Sequence, residues 1–222
     1  MSIGAVLFDL DGTLVDTAPD LVAVLNQLLR ETQRAPMPYA IARNEVSNGA
    51  LGLLRLGFGL EREAPELPEL RQRFLDAYMN HVCIKSRLFI EIKYLIRNMD
   101  ELGTRWGIVT NKPQAMTDKL LAELGIAAHP GCVIGGDRLP ERKPHPAPLQ
   151  LAAAELGVAP EHCVYIGDAE RDIAAGRAAG MATVAALYGY IRPADEPNQW
   201  GADALLRHPR ELAAQLGSLA RA

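Results

Sequence analysis

Long apolar runs are missing from this chain of 222 residues. No stretch approaches the roughly 20 apolar residues of a membrane span, and the N-terminus has no basic segment leading into an apolar core, so neither a spanning segment nor a secretory leader is expected. Long basic runs are missing too. The balance of 23 Lys and Arg against 27 Asp and Glu gives a net charge of −4, which argues against a nucleic-acid surface. Cysteine is scarce: Cys83, Cys132 and Cys163 are odd in number and far apart, which suggests neither a disulfide framework nor a zinc cluster and leaves them as small buried apolar residues. The five histidines have no metal-ligand spacing and read as surface or turn residues. Internal repeats and low-complexity segments are absent. These absences leave a cytoplasmic protein with room for a small charged ligand and no membrane partner.

About half of the residues are apolar (49%), enough for one large domain or one domain carrying a smaller insertion. Four short apolar runs end in Gly, Asp, Asn or Thr and lead into helical patterns: "AVLFDLDGT", "RWGIVTNK", "CVIGGD" and "CVYIGDAERD". Strands alternating with helices predict an α/β fold, a Rossmann-like doubly wound parallel sheet with helices on both faces. Ligands of such sheets bind beyond the carboxyl ends of the strands, where all four runs place their polar residues. Between Thr17 and about Phe89 no strand pattern appears, while Leu21, Leu25, Leu28 and Leu29 recur at helical spacing, as do Leu53, Leu54 and Leu56 less cleanly. "APMP" at 35–38 and "APELP" at 64–68 separate three helices. An insertion this long after the first strand is no ordinary connection. The expected organisation is a catalytic core from residues 1–16 and 90–222 and a helical cap from residues 17–89, closing with the apolar "ADALL" and a final helix from about Pro209.

Asp9, Asp11, Gly12 and Thr13 follow the strand "IGAVLF". Two carboxylates this close need a cation or a shared proton, although an Asp-Gly turn that merely ends a strand is the plainer alternative. Asp168 follows a strand and Asp172 lies one helical turn on, which places both on one face of a helix start. A capped helix with an acidic first turn is the ordinary reading of that pair. Together the two sites bring four carboxylates to one sheet edge, a hard oxygen-rich setting suited to Mg²⁺. Thr110 and Asn111 after "WGIV" offer a hydroxyl and backbone N–H groups to an anionic oxygen, and Lys143 offers a compact positive charge aimed by the extended residue before Pro144.

In this order, "DLDGT", "TN", a Lys before Pro and "GDAERD", the sequence resembles the haloacid dehalogenase superfamily of phosphatases. The likeness spans essentially the whole chain. The helical insertion after the first motif and the late stretch "YGYIRPADEPNQWGAD" are similar to that superfamily's phosphoglycolate phosphatase-like branch, with N-acetylmuramate 6-phosphate phosphatases close by. The resemblance implies a phosphomonoesterase acting on a small phosphorylated metabolite through a phospho-aspartate. It makes Asp9 the nucleophile and Asp11 the general acid, then base. Mg²⁺ would be held by the Asp9 carboxylate, the Asp11 carbonyl and Asp168, with Asp172 holding metal-bound water. Thr110 and Asn111 would bind the phosphoryl group, and Lys143 would balance charge on the nucleophile.

Attack of a carboxylate on a phosphate dianion is repulsive, so offsetting charge is most of the catalytic task. Neighbouring negative charge is expected to help Asp11 carry the proton that the leaving alkoxide needs. A dehalogenase would lack the second Asp; a phosphosugar mutase would keep all four motifs; a receiver-like phosphate-binding module fits the long insertion poorly. Substrate choice is expected in the cap, with Ser47, Asn48 and Gly49 of "VSNGALG" at a helix start and Arg43 adding charge; an ordinary helix cap and a surface arginine are the alternative. One departure stands out. Where the branch usually has a Pro-Gly turn after "RLF", this chain reads "RLFIEIKYLIRN", which predicts a return hinge of different geometry or stiffness.

Overall fold

A computed structural model of the chain describes residues 3–101 and 103–219. Six parallel strands form the central sheet: β1 (Ala5–Phe8), β4 (Arg105–Val109), β5 (Cys132–Ile134), β6 (Cys163–Gly167), β7 (Ala182–Ala186) and β8 (Ala204–Leu206). Two further strands, β2 (Val15–Asp16) and β3 (Arg87–Leu88), pair with each other outside it. The sheet order is β5-β4-β1-β6-β7-β8, so β1 sits centrally between β4 and β6. The chain returns to one side of β1 and then to the other, and the polar residues that follow β1, β4 and β6 share the carboxyl edge where such a switch opens a crevice.

Both sheet faces are buried, as the apolar runs require. Ala5 and Leu7 of β1 join Val109, Tyr165 and residues of α7 (Ala147–Leu156) and α8 (Glu170–Ala178). The alternate residues Val6 and Phe8 join Trp106, Ile108 and residues of α5 (Ile90–Glu101), α6 (Gln114–Glu123) and α9 (Leu212–Leu219). Burying one Leu or Phe of this kind contributes roughly 1.5–3 kcal/mol. The doubly wound fold that the alternating runs predict is therefore the fold observed.

The segment after β2 folds as α1 (Ala18–Glu31), α2 (Tyr39–Ala42), α3 (Gly49–Phe58) and α4 (Leu67–Met79). Leu21, Leu25, Leu28 and Leu29 lie on the buried face of α1. Pro68 opens α4 in its first turn, where a missing N–H is harmless. The buried carboxylate of Asp20 accepts hydrogen bonds from the N–H groups of Lys85 and Ser86 and from the Ser86 hydroxyl, tying α1 to the returning chain.

Two features differ from the sequence reading. A strand does occur between Thr17 and Phe89: β3 pairs antiparallel with β2, Val15 opposite Leu88 and Asp16 opposite Arg87. The alanine-rich β7 was not among the expected strands, because it lacks a polar strand-end signal. The return needs no Pro-Gly turn; the Phe89 N–H donates to the Leu14 carbonyl and α5 begins at once. Among the described residues, no helix is long and apolar enough to cross a membrane.

Candidate active site

Asp9 lies just past the end of β1, its N–H donating to the Ile166 carbonyl of β6 at 2.8 Å. Its carboxylate is buried and accepts from the Lys143 ammonium at 2.8 Å. The same Nζ meets Asp172 at 2.7 Å, the Tyr165 hydroxyl at 2.7 Å and the Val109 carbonyl at 3.0 Å. An ammonium has three hydrogens for these four acceptors, so it is fully committed here. Burial alone would discharge it, but Asp172 and Asp9 outweigh burial and push its pKa up.

Asp11 turns elsewhere. Its Oδ1 accepts from Thr17 Oγ1 at 2.6 Å and from Lys112 Nζ at 2.9 Å. The two aspartates of "DLD" thus have a lysine each, and the charged neighbour of Asp11 is cationic rather than the expected carboxylate. Gly12 makes the turn possible. Its φ of +87° is left-handed, and a Cβ there would strike Asp168 Oδ2 and come within 2.8 Å of Tyr190 Cδ2.

Asp168 precedes α8, and Asp172 belongs to its first turn, where Oδ2 accepts from the Ala169 N–H at 3.1 Å. Only one of the pair is helical. They converge because the strand end and the helix start meet at Asp9, and carboxylate oxygens of Asp9, Asp168 and Asp172 lie within 4.8 Å of one another. Burial pushes the Asp9 carboxyl up to about 6 against the opposing pull of Lys143. Burial, then the charges of Asp9 and Asp172, push Asp168 up to about 7. Three buried carboxylates converging on one point form a donor set that a small divalent cation would neutralise, so the residues fit such an ion. The Asp11 carboxylate stands outside this trio.

Thr110 and Asn111 follow β4 and line the cleft above Asp9. Thr110 Oγ1 accepts from the Lys112 N–H at 3.1 Å. The Asn111 amide clasps the Lys143 backbone in both directions, Nδ2 donating to its carbonyl at 3.0 Å and Oδ1 accepting from its N–H at 3.1 Å. Asn111 therefore aims the lysine with its side chain.

The residues expected to select substrate divide. Ser47 donates to Asp168 Oδ2 at 2.7 Å, and its carbonyl accepts from Arg171. Arg43 donates to the carbonyls of Gly189 at 3.1 Å and Tyr188 at 3.4 Å, and its guanidinium lies 4.7 Å from the Tyr190 ring centroid. Both fasten the helical segment to the sheet edge, and Arg43 does not line the cleft. Ser47, Asn48 and Gly49 do line it, with the Asn48 amide donating to Glu45. The cleft encloses about 320 Å³ and has Leu21, Val46, Phe74 and Met116 on its apolar side.

Sequence reasoning did not assign Lys112, Tyr165, Tyr190, Arg71 or Arg142. Lys112 sits beside Asn111 and reads as a surface lysine until its burial is seen. The Tyr190 hydroxyl accepts from the N–H groups of Thr17 at 2.7 Å and Ala18 at 2.9 Å and donates to Asp16 at 2.8 Å. Arg71 of α4 and Arg142 line the cleft, and among the described residues neither side chain has a hydrogen bond or ion pair.

Such an edge suits attack on a phosphate ester, since it supplies carboxylates for bonding and proton transfer and cations to offset the charge. Its class is that of phosphoric monoester hydrolases. The chain belongs to the haloacid dehalogenase-like hydrolases, whose sequence profile matches residues 6–186. It is 42% identical over 212 residues to the N-acetylmuramic acid 6-phosphate phosphatase of Pseudomonas aeruginosa, covering 96% of this chain and 94% of that protein. It is 44% identical over 208 residues to the phosphoglycolate phosphatase of Xanthomonas campestris pv. campestris, covering 94% of each. In three dimensions it is similar to a crystal structure of a predicted phosphoglycolate phosphatase from Haemophilus somnus, with a TM-score of 0.84 and 28% identity, covering 97% of this chain and 98% of the other.

Proposed function

We propose that this chain is a Mg²⁺-dependent phosphatase of small phosphorylated acids, with 2-phosphoglycolate as the first candidate substrate. The observation that carries the reading is the buried Asp9 carboxylate, held 2.8 Å from Lys143 and inside the acidic trio at the sheet's carboxyl edge. Asp9 is the nucleophile. One of its oxygens bonds to phosphorus as the ester P–O bond breaks, and the leaving oxygen takes a proton from Asp11. Asp11 then accepts a proton from the water that attacks the phospho-aspartate, which releases phosphate and restores both carboxyl groups. Lys143 holds Asp9 oriented, and Thr110 and Asn111 meet the phosphoryl oxygens at the end of β4. Asp9, Asp168 and Asp172, with the Asp11 carbonyl, would hold Mg²⁺, which when bound offsets the repulsion between the nucleophile and the phosphate.

The helical segment 17–89 acts as a cap over this edge, excluding water and meeting the leaving group. Arg71 and Arg142, without partners among the described residues, are suited to a carboxylate on that group. The cleft of about 320 Å³ lies at the low end of ligand pockets, roughly 300–1,000 Å³, which favours a small acid. A second reading, N-acetylmuramate 6-phosphate, draws on the Pseudomonas aeruginosa relative. A cavity of about 560 Å³ that shares Asn48 and Leu51 with the cleft would give a sugar room to extend. Three free cysteines accord with a cytoplasmic setting. The test is Mg²⁺-dependent phosphate release from the two esters in parallel, compared as kcat/KM. Preference for 2-phosphoglycolate supports the first reading, preference for the sugar phosphate supports the second, and release from neither refutes both.

A further inference from the structure

Asp11 is bonded unevenly. Thr17 Oγ1 and Lys112 Nζ both donate to Oδ1, whereas Oδ2 accepts no hydrogen bond among the described residues. Lys112 is itself buried, and its Nζ lies 4.4 Å from the centroid of the Tyr78 ring, within the reach of a cation–π contact. Tyr78, with Phe74, is an inner-face aromatic of α4, buried and lining the cleft, while Lys112 follows β4 and Asp11 follows β1. The Tyr78 hydroxyl is the one fully buried side-chain polar atom without a hydrogen bond among the described residues. At this distance Tyr78 meets Lys112 with its ring.

We infer that Lys112, backed by the Tyr78 ring, is a positioning residue for Asp11 that fixes Oδ1 and leaves Oδ2 as the oxygen that exchanges the proton with the leaving group. The inference rests on the phosphatase reading. An ammonium and a hydroxyl on Oδ1 leave the carboxyl group little freedom to rotate, so the proton on Oδ2 points one way. Since α4 supplies the ring and the sheet edge supplies the lysine, the acid–base group is fully ordered only while the helical segment is seated. Substrate binding under α4 and proton transfer at Asp11 are thereby joined through one side chain.

The experiment compares two esters of similar size whose leaving groups differ in their need for a proton. The alkoxide of 2-phosphoglycolate must be protonated as it leaves; the acetate of acetyl phosphate need not be. kcat/KM for each reports the steps through loss of the leaving group. General acid catalysis contributes about 10²–10⁴-fold, so Lys112→Met should lower kcat/KM for 2-phosphoglycolate on the order of 100-fold and lower it far less for acetyl phosphate. The loss should fall on kcat rather than KM, and Lys112→Arg should restore part of it. Tyr78→Phe, which keeps the ring, should retain more of the alkyl-to-acyl ratio than Tyr78→Leu. Equal losses on both esters, as from general damage to the fold, would overturn the inference, as would a loss confined to KM, which would make Lys112 a substrate-binding group. Failure of the unsubstituted protein to cleave either ester or N-acetylmuramate 6-phosphate would refute the phosphatase reading itself.

Discussion

Raising the pH and removing Mg²⁺ should act together on stability. Asp9 and Asp168 hold their protons more tightly in the folded protein, at about 6 and about 7, than at the ordinary carboxylate value of 3.8. Below the ordinary value both folded and unfolded chains are protonated and the stability from these groups is fully present. As pH rises the unfolded groups ionise first, so that stability falls and is lost once pH has passed the folded values. Holding one such proton this far above the ordinary value is worth roughly 3–4 kcal/mol. A bound divalent cation replaces the missing protons and offsets the loss. At roughly 2–4 °C per kcal/mol for a chain of this size, Mg²⁺ should raise Tm by on the order of 10 °C near pH 8 and by only a few degrees near pH 5. Thermal denaturation in chelator and in Mg²⁺ at the two pH values measures this directly, and taking the difference cancels every group remote from the ion. A Mg²⁺ shift equal at both pH values, or larger in acid, would refute the reasoning.

Two substitutions probe the same edge. Lys143→Met leaves Asp9 and Asp172 without their shared cation and should reduce kcat by about 10²–10³-fold, while steady-state kinetics showing a loss under threefold would contradict the role given to the ammonium. Gly12→Ala forces a side chain into a left-handed position against Asp168 and Tyr190; it should cost well over 1 kcal/mol and weaken Mg²⁺ binding, so an unchanged melt and an unchanged Mg²⁺ titration would show that the turn tolerates a side chain.

The sheet was legible because β1, β4 and β6 are each an apolar run closely followed by a polar residue. Asp9 after β1, Thr110 after β4 and Asp168 after β6 are both the stop signal and the chemistry. β7 reads "ATVAA" and is followed by more apolar residues, so nothing in its local pattern separates it from a helix. β2 and β3 have two residues each, fewer than any periodicity needs. The side chains that the structure adds to the candidate site act over long separations: Tyr190 reaches Thr17 across 173 positions and Lys112 reaches Asp11 across 101. Spacing arguments see one helical turn or one strand, so such partners stay invisible until the fold brings them together. Arg43 and Ser47 illustrate the converse. Ser47 at a helix start and Arg43 as an added charge suggested substrate contacts, yet Arg43 donates to backbone carbonyls and the Ser47 hydroxyl to Asp168.

The small ribbon of β2 and β3 has a consequence for how the chain can change. Asp16 and Arg87 are register partners, so the polypeptide leaves and rejoins at points about one strand spacing apart, near 4.8 Å. A two-residue turn spans such a gap. Everything in residues 17–86 is therefore a contiguous cassette whose two ends already meet, and exchanging it for a segment of another length costs little closure entropy and leaves the six-strand register untouched. A new leaving group could be accommodated by one transplant of coding sequence, provided the incoming piece restored a hydroxyl for Asp11 where Thr17 stood and laid an aromatic ring beneath Lys112.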